Sequence, residues 1–205
     1  MSFSPPLSYG IAAGALQGYL ESGDQYLIKA FPNAVLIAVA DGVGHGQEAA
    51  YAAKQAMRVL RESQNKSLID LLNACHKELK KTRGAAVFAA LIQSNYQVSW
   101  LGIGNVAAIH WRREAEDKSK IEEFLSQGGV VGLELPSLRI SQFMACPGDT
   151  LIFATDGISN QFVSIAPMTY ALPQTIADHI FKRFRNPNDD ALVLVTRWTN
   201  SEMEI

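Results

Sequence analysis

Four aspartates stand directly before or after apolar runs, where a carboxylate can take part in binding or catalysis and need not only contact solvent. Asp41 and Asp156 follow runs of aliphatic residues, whereas Asp24 and Asp189 precede such runs. Carboxylates gathered at one end of a sheet repel one another unless cations neutralise them. Oxygen ligands without histidine or cysteine partners favour Mg²⁺ or Mn²⁺ over zinc. If these chain segments converge, which spacing alone does not decide, the sequence indicates a divalent-metal site.

Glycines follow two of the aspartates, and each Asp-Gly pair taken alone is first a turn signal. After Asp41 the chain continues with Gly42, Gly44 and Gly46. This Gly-x-Gly-x-Gly spacing matches neither the dinucleotide-binding fingerprint nor a P-loop. Two roles stay open for the glycines. They could cradle a phosphate group, or they could let the chain turn sharply so that the Gly42 carbonyl points at a metal ion.

The elements that must position these residues are strands, then two helices, more strands, a third helix and a final strand. Short runs rich in β-branched residues predict strands at 9–13, 17–20, 25–30, 35–40, 85–93, 97–103, 106–111, 138–145, 150–154 and 191–197. Apolar residues at helical spacing predict helices through 49–60, 68–79 (capped by Ser67) and 174–185, and the polar stretch 112–120 is predicted as a loop. This order predicts an α+β fold, an antiparallel sandwich with helices packed outside.

Composition narrows the classes of protein further. A chain of 205 residues predicts one domain over residues 1–205. The net charge of −2 argues against a nucleic-acid partner, and no apolar run reaches the length of a membrane helix. The first residues lack the pattern of a signal peptide. The two cysteines, Cys75 and Cys146, lack metal-ligand spacing. We therefore expect a cytoplasmic protein with no membrane or nucleic-acid partner.

Over nearly its whole length the chain resembles the metal-dependent type 2C protein phosphatases, in particular their bacterial SpoIIE-type branch. Any one of the motifs is weak, but six in the correct order make a specific signal. They are Gly23-Asp24, ADGVGHG at 40–46, KTRGAA at 81–86, GNV at 104–106, PGDTLIFATDG at 147–157 and NDD at 188–190.

The resemblance implies a fold, a cofactor and a set of roles. The fold would be two antiparallel sheets packed face to face and flanked by helices, a four-layer αββα sandwich. Two Mn²⁺ or Mg²⁺ ions would activate water for attack on phosphoserine or phosphothreonine. Asp41 would bridge both ions, the Gly42 carbonyl would bind one, and Asp156 and Asp189 would bind the other. Asp24 would be either a direct ligand or an acceptor for a metal-bound water.

Three departures from the family pattern leave roles open. No arginine lies in residues 10–22, where many relatives carry the arginine that grips phosphate, so Arg83 is either a substitute or an ordinary surface residue. Asn105 stands where some relatives have an aspartate for a third metal ion. His45 is either a general acid or a solvent-facing loop residue.

The resemblance also suggests a substrate. We expect a phosphorylated small regulatory protein of a stress-response partner-switching or stressosome pathway, such as a STAS-domain protein. Two alternatives come from other classes. The same fold could bind a phosphoprotein without cleaving it, or the glycine-rich turn could bind a nucleotide, although no basic residue stands beside those glycines.

Overall fold

Ten strands and three α-helices follow one another in the part of the chain that the computed structural model describes, residues 7–62, 67–113, 119–165, 168 and 171–199. The strands are β1 (Leu7–Gly14), β2 (Asp24–Phe31), β3 (Ala34–Gly42), β4 (Ala85–Gln93), β5 (Gln97–Ile103), β6 (Ala107–Arg113), β7 (Ser119–Phe124), β8 (Ser141–Met144), β9 (Thr150–Ala154) and β10 (Ala191–Trp198). The helices are α1 (Gln47–Glu62), α2 (Leu68–Leu79) and α3 (Pro173–Phe184), and a short 3-10 helix spans Asn160–Ser164.

The strands form two antiparallel sheets of five strands each. The first has the order β1-β10-β9-β6-β7 and the second the order β2-β3-β4-β5-β8. Helices α1 and α2 pack on the second sheet, and α3 packs on the first. This arrangement confirms the predicted α+β sandwich with helices outside. The amphipathic helices cover the outer apolar face of each sheet.

Three apolar clusters separate the four layers. One lies between the sheets and includes Phe88 of β4 and Phe153 of β9, whose ring centroids are 5.4 Å apart. The other two lie under α1 and α2 and under α3. The central strands have core on both faces, which explains why their sequences are continuous apolar runs without polar alternation.

The sheet topology brings the predicted site residues to one end of the sandwich. In the second sheet Asp24 is paired with Asp41, which also lies opposite Ala86 at the start of β4. In the first sheet β9 ends two residues before Asp156, beside the strand that begins just after Asp189. Since neighbouring strands run in opposite directions, these ends and beginnings share one edge of the sandwich.

Several predicted elements differ from the structure. Residues 17–20 do not form a strand, because Gly18 has a φ of 92° and the Tyr19 N–H bonds to the Leu16 carbonyl in a turn. The predicted strand 138–145 is shortened to β8. Strand β7 begins inside the predicted loop 112–120, of which 114–118 lie outside the described residues. The cap of α2 is confirmed, since Ser67 Oγ accepts from the Asp70 N–H at 3.2 Å.

No helix in the described ranges is long and apolar enough to cross a membrane.

Candidate active site

A cleft of about 580 Å³ opens at the end of the sandwich where the acidic residues meet. Three of the predicted site residues, Asp41, Asp156 and Asp189, line it together with His45 and Asn105. Asp41 comes from the second sheet, and the other two aspartates come from the first. The convergence that the sequence could not decide is therefore present in the structure.

The turn after Asp41 is shaped by contact with helix α1. A β-carbon on Gly42 would lie 2.0 Å from the carbonyl oxygen of Ala49, so only glycine lets the helix approach this closely. The Gly42 N–H donates to the Gly23 carbonyl at 3.1 Å, and Gly42 is buried outside the cleft lining. Gly42 thus has a steric role, but that role is the close approach of α1 and not the predicted sharp turn; the assignment of its carbonyl as a metal ligand stays a prediction.

Asp24 lies behind the cleft wall, with only 4% of its surface exposed. Its Oδ2 accepts a hydrogen bond of 2.6 Å from the Thr155 hydroxyl, which also accepts from the Leu192 N–H at 2.9 Å. Burial raises the pKa of Asp24 to about 7, and the nearby carboxylates of Asp190, Asp156 and Asp189 add to the effect, against the hydrogen bond from Thr155. The choice between the two roles left open for Asp24, a direct metal ligand or an acceptor for a metal-bound water, stays a prediction; its place outside the cleft lining favours the second.

The two aspartates before β10 have different surroundings. Asp190 is buried and accepts from the N–H groups of Leu16 and Gly23, at 2.8 and 2.9 Å. Asp189 lines the cleft and accepts from the Asp190 N–H at 2.9 Å. Asp190 thus ties the loop between β1 and β2 to the segment that carries Asp189, a structural role that the sequence reasoning missed.

The cleft concentrates negative charge. Burial raises the pKa of Asp41 to about 8, with further contributions from the charges of Asp24, Asp156 and Asp189. The pKa of Asp189 is also raised, first by burial and then by Asp156. No lysine or arginine stands among the described residues that line the cleft. Carboxylates held together in this way bind a proton or a cation more readily than isolated ones.

The donor set fits a hard divalent cation. Carboxylate oxygens are the ligands that Mg²⁺ and Mn²⁺ prefer, and no cysteine lines the cleft in the described chain, although the imidazole of His45 does. No three described histidine, cysteine, aspartate or glutamate side chains already surround one point as a complete metal site would. An ion here would complete its coordination with water and backbone carbonyl oxygens, as Mg²⁺ commonly does.

Two further side chains line the cleft. Asn105 donates from Nδ2 to Asp156 Oδ2 at 2.7 Å, so it holds that carboxylate in place. The exposed His45 ring packs edge-on against Tyr19, with 5.1 Å between ring centroids. This location fits both roles that the sequence left open for His45.

The aspartate of the Gly148-Asp149 motif lies at the opposite end of β9 from Asp156. Its Oδ2 is 2.9 Å from His110 Nε2 and accepts from the Cys146 N–H at 2.9 Å. The side chains of His110 and Asp149 are fully buried. This part of the motif therefore stabilises a turn and does not line the cleft.

The chain belongs to the SpoIIE family. A family model described as Stage II sporulation protein E (SpoIIE) matches residues 32–199. Its two antiparallel sheets with helices outside form the PP2C-like sandwich fold. Both the SpoIIE-type family and this fold were predicted by the sequence resemblance. A comparison with curated protein sequences found no match.

Solved structures share this fold over almost the whole chain. One, from work on the bacterial stressosome as a modular system adapted to control secondary messenger signaling, is 28% identical with a TM-score of 0.84, covering 93% of this chain and 99% of that one. RsbX in complex with magnesium is 18% identical with a TM-score of 0.82, covering 94% and 96%. The PP2C domain and regulatory fragment of SpoIIE from Bacillus subtilis is 19% identical with a TM-score of 0.74, covering 95% and 64%.

Proposed function

We propose that this chain is a metal-dependent protein serine/threonine phosphatase. The observation that carries the proposal is the meeting of Asp41 from one sheet with Asp156 and Asp189 from the other in a single cleft. Membership of the SpoIIE family supports phosphatase chemistry in general. The magnesium in the RsbX structure supports a divalent cation.

The proposed roles of the residues come from the family resemblance together with these positions. Asp41, Asp156 and Asp189 would hold two Mn²⁺ or Mg²⁺ ions, with the Gly42 carbonyl as a further ligand. When bound, such ions lower the pKa of water and offset the charge of a phosphoryl group. Asn105 keeps the Asp156 carboxylate oriented through its hydrogen bond. The chain needs no nucleophile of its own for this reaction.

Asp24 has a supporting part in this scheme. It stands beside Asp41 in the β2–β3 ladder and is held by the Thr155 hydroxyl. From there its carboxylate adds negative charge behind the ligands and can accept a hydrogen bond from water in the site. Orientation of this kind by groups behind a metal's ligands commonly sets its affinity.

The proposed substrate is a phosphorylated small regulatory protein of a partner-switching pathway, with a STAS-domain protein as the first candidate. The support is the structural likeness to a chain from work on the bacterial stressosome and to RsbX. The protein would act where such pathways operate, which we propose is the cytoplasm.

A direct assay tests the proposed reaction. Wild type, Asp41→Asn and the control Asp178→Asn are assayed on p-nitrophenyl phosphate and phosphoserine peptides, with and without Mn²⁺. Asp178 is an exposed carboxylate on α3, outside the cleft lining. We expect Asp41→Asn to lose roughly 10²–10³-fold in kcat, a typical cost of removing one electrostatic group from an active site, while Asp178→Asn keeps wild-type rates. Activity that resists chelator, or that survives in Asp41→Asn, would refute the mechanism. Manganese binding without turnover would instead indicate the phosphoprotein-binding alternative.

A further inference from the structure

A phosphorylated substrate faces an electrostatic problem at this cleft. A phosphoserine carries about −1.5 to −2 charges at neutral pH, and the cleft that must receive it is lined by three carboxylates. Bound cations offset part of this charge, but no lysine or arginine stands in the described cleft lining. A cation at the rim would help to attract and orient the phosphoryl group.

Arg83 is placed at that rim. Its Nη1 lies 2.9 Å from the position that a β-carbon on Gly44 would occupy, and Gly44 lines the cleft. The next residue, Gly84, accepts from the Val43 N–H at 3.0 Å and sits against Val130, two further lining residues. The backbone of Arg83 is thus anchored where two walls of the cleft meet.

The side chain of Arg83 forms an ion pair but stays half exposed. Its Nη2 pairs with Glu48 Oε2 on the first turn of α1. Half of the Arg83 side chain and 68% of the Glu48 side chain are exposed. Ion pairs this exposed contribute little to stability, because water and salt screen them. A guanidinium binds phosphate oxygens with two parallel hydrogen bonds, so a phosphate group can compete with a single carboxylate.

We propose that Arg83 binds the phosphoryl group of the substrate and that Glu48 competes with the phosphate for the same guanidinium. In the absence of phosphate, Glu48 holds Arg83 beside Gly44. On binding, the guanidinium exchanges the carboxylate for phosphoryl oxygens. The inference rests on the proposed phosphatase function and assigns the phosphate-binding cation that the sequence left open.

The test compares Arg83→Gln, Arg83→Lys and Glu48→Gln with wild type and a matched control, Arg58→Gln. Arg58 is also about half exposed and pairs with Glu62 and Glu78 on the helices, away from the cleft lining. We measure kcat and KM on a phosphoserine peptide with Mn²⁺. Calorimetry then gives the affinity of the Mg²⁺-loaded protein for inorganic phosphate, a measurement that needs no turnover.

For Arg83→Gln we expect KM and the phosphate dissociation constant to rise about tenfold, in keeping with the loss of a charge-assisted contact, with little change in kcat. Arg83→Lys falls between this variant and wild type, because an ammonium keeps the charge but lacks the paired donors. Glu48→Gln lowers both constants, since the competitor is removed. Arg58→Gln matches wild type and shows that losing an exposed arginine pair is harmless.

Two results would overturn the inference: equal phosphate affinity of Arg83→Gln and Arg58→Gln, or no gain in affinity for Glu48→Gln. If wild type turns over peptide normally in either case, the proposed function stands without this role for Arg83. If wild type shows no turnover with any metal, the proposed function fails, and the calorimetry still decides whether Arg83 binds phosphate.

Discussion

The burial of Asp24 predicts an unusual pH dependence of stability for the metal-free protein. The folded pKa of Asp24 is raised from its ordinary 3.8 to about 7. The folded state therefore keeps a proton that the unfolded state releases. A group with a raised folded pKa contributes stability that is complete below its unfolded pKa and is lost as pH rises through its folded pKa. The contribution of Asp24 should thus decline from about pH 4 and be gone above about pH 8.

The size of the effect follows from the two pKa values. A tenfold change in an equilibrium constant is 1.36 kcal/mol, so the difference corresponds to about 4 kcal/mol. Asp24→Asn removes the charge but keeps an oxygen that can accept from the Thr155 hydroxyl. We therefore expect the free energy of unfolding of the variant, relative to that of wild type, to rise by about 2–3 kcal/mol between pH 5 and pH 8, because part of the contribution of Asp24 is already lost at pH 5.

The assay is urea unfolding of wild type and Asp24→Asn in chelator between pH 5 and 8, with Asp178→Asn as the exposed control. The free energy of unfolding of Asp178→Asn should follow the wild-type curve at every pH. In wild type, Mn²⁺ should reduce the loss at high pH, because a cation near the ionised carboxylates replaces the bound proton. A constant difference between Asp24→Asn and wild type across this pH range would refute the reasoning.

Three further predictions concern packing, thiols and orientation. Gly42→Ala should lower the free energy of unfolding by about 3 kcal/mol or more, because the added carbon meets the backbone of α1. The control is Gly128→Ala, where the added carbon would have no atom within 4 Å beyond its chain neighbours. Equal melting temperatures of the two variants would contradict the packing argument. Burial raises the pKa of Cys75 to about 12, so a thiol reagent should label only the exposed Cys146 quickly in native protein, and rapid labelling of both would show that the α1–α2 layer opens. Asn105→Ala should weaken Mn²⁺ binding about tenfold by calorimetry, since the carboxylate beside it loses its oriented donor, and unchanged binding would exclude that role.

The strands with core on both faces were the most predictable part of the fold. β4, β5 and β9 have the bounds that their apolar runs predict, because turn residues flank each run. The strand predicted at residues 17–20 is wrong, since Tyr19 and Leu20 have strand-forming side chains but are exposed at a turn, where Leu20 is fully exposed. β7 was missed because an edge strand needs few apolar residues.

The site was predictable in residue type but not in arrangement. Asp41, Asp156 and Asp189 could be chosen from their positions after or before apolar runs, yet only the pairing of strands brings them together. Nothing in the adjacent pair 189–190 indicates which carboxylate faces the cleft and which accepts from a distant loop. The rim position of Arg83 depends equally on contacts between the 43–46 turn and the start of β4, which are distant in sequence.

The placement of the acidic residues on two different sheets has a consequence for how the affinity of the proposed site for cations can change. The separation between Asp41 and the pair Asp156 and Asp189 depends on how closely the sheets approach, and this spacing is set by interior rings such as Phe88 and Phe153. Because a well-packed interior transmits strain, a change of ring size between two sheets about 10 Å apart would widen or narrow the gap between the proposed metal ligands. If the proposed metal site is correct, substitutions in the hydrophobic interior could thus change the cation preference while every proposed ligand stays the same.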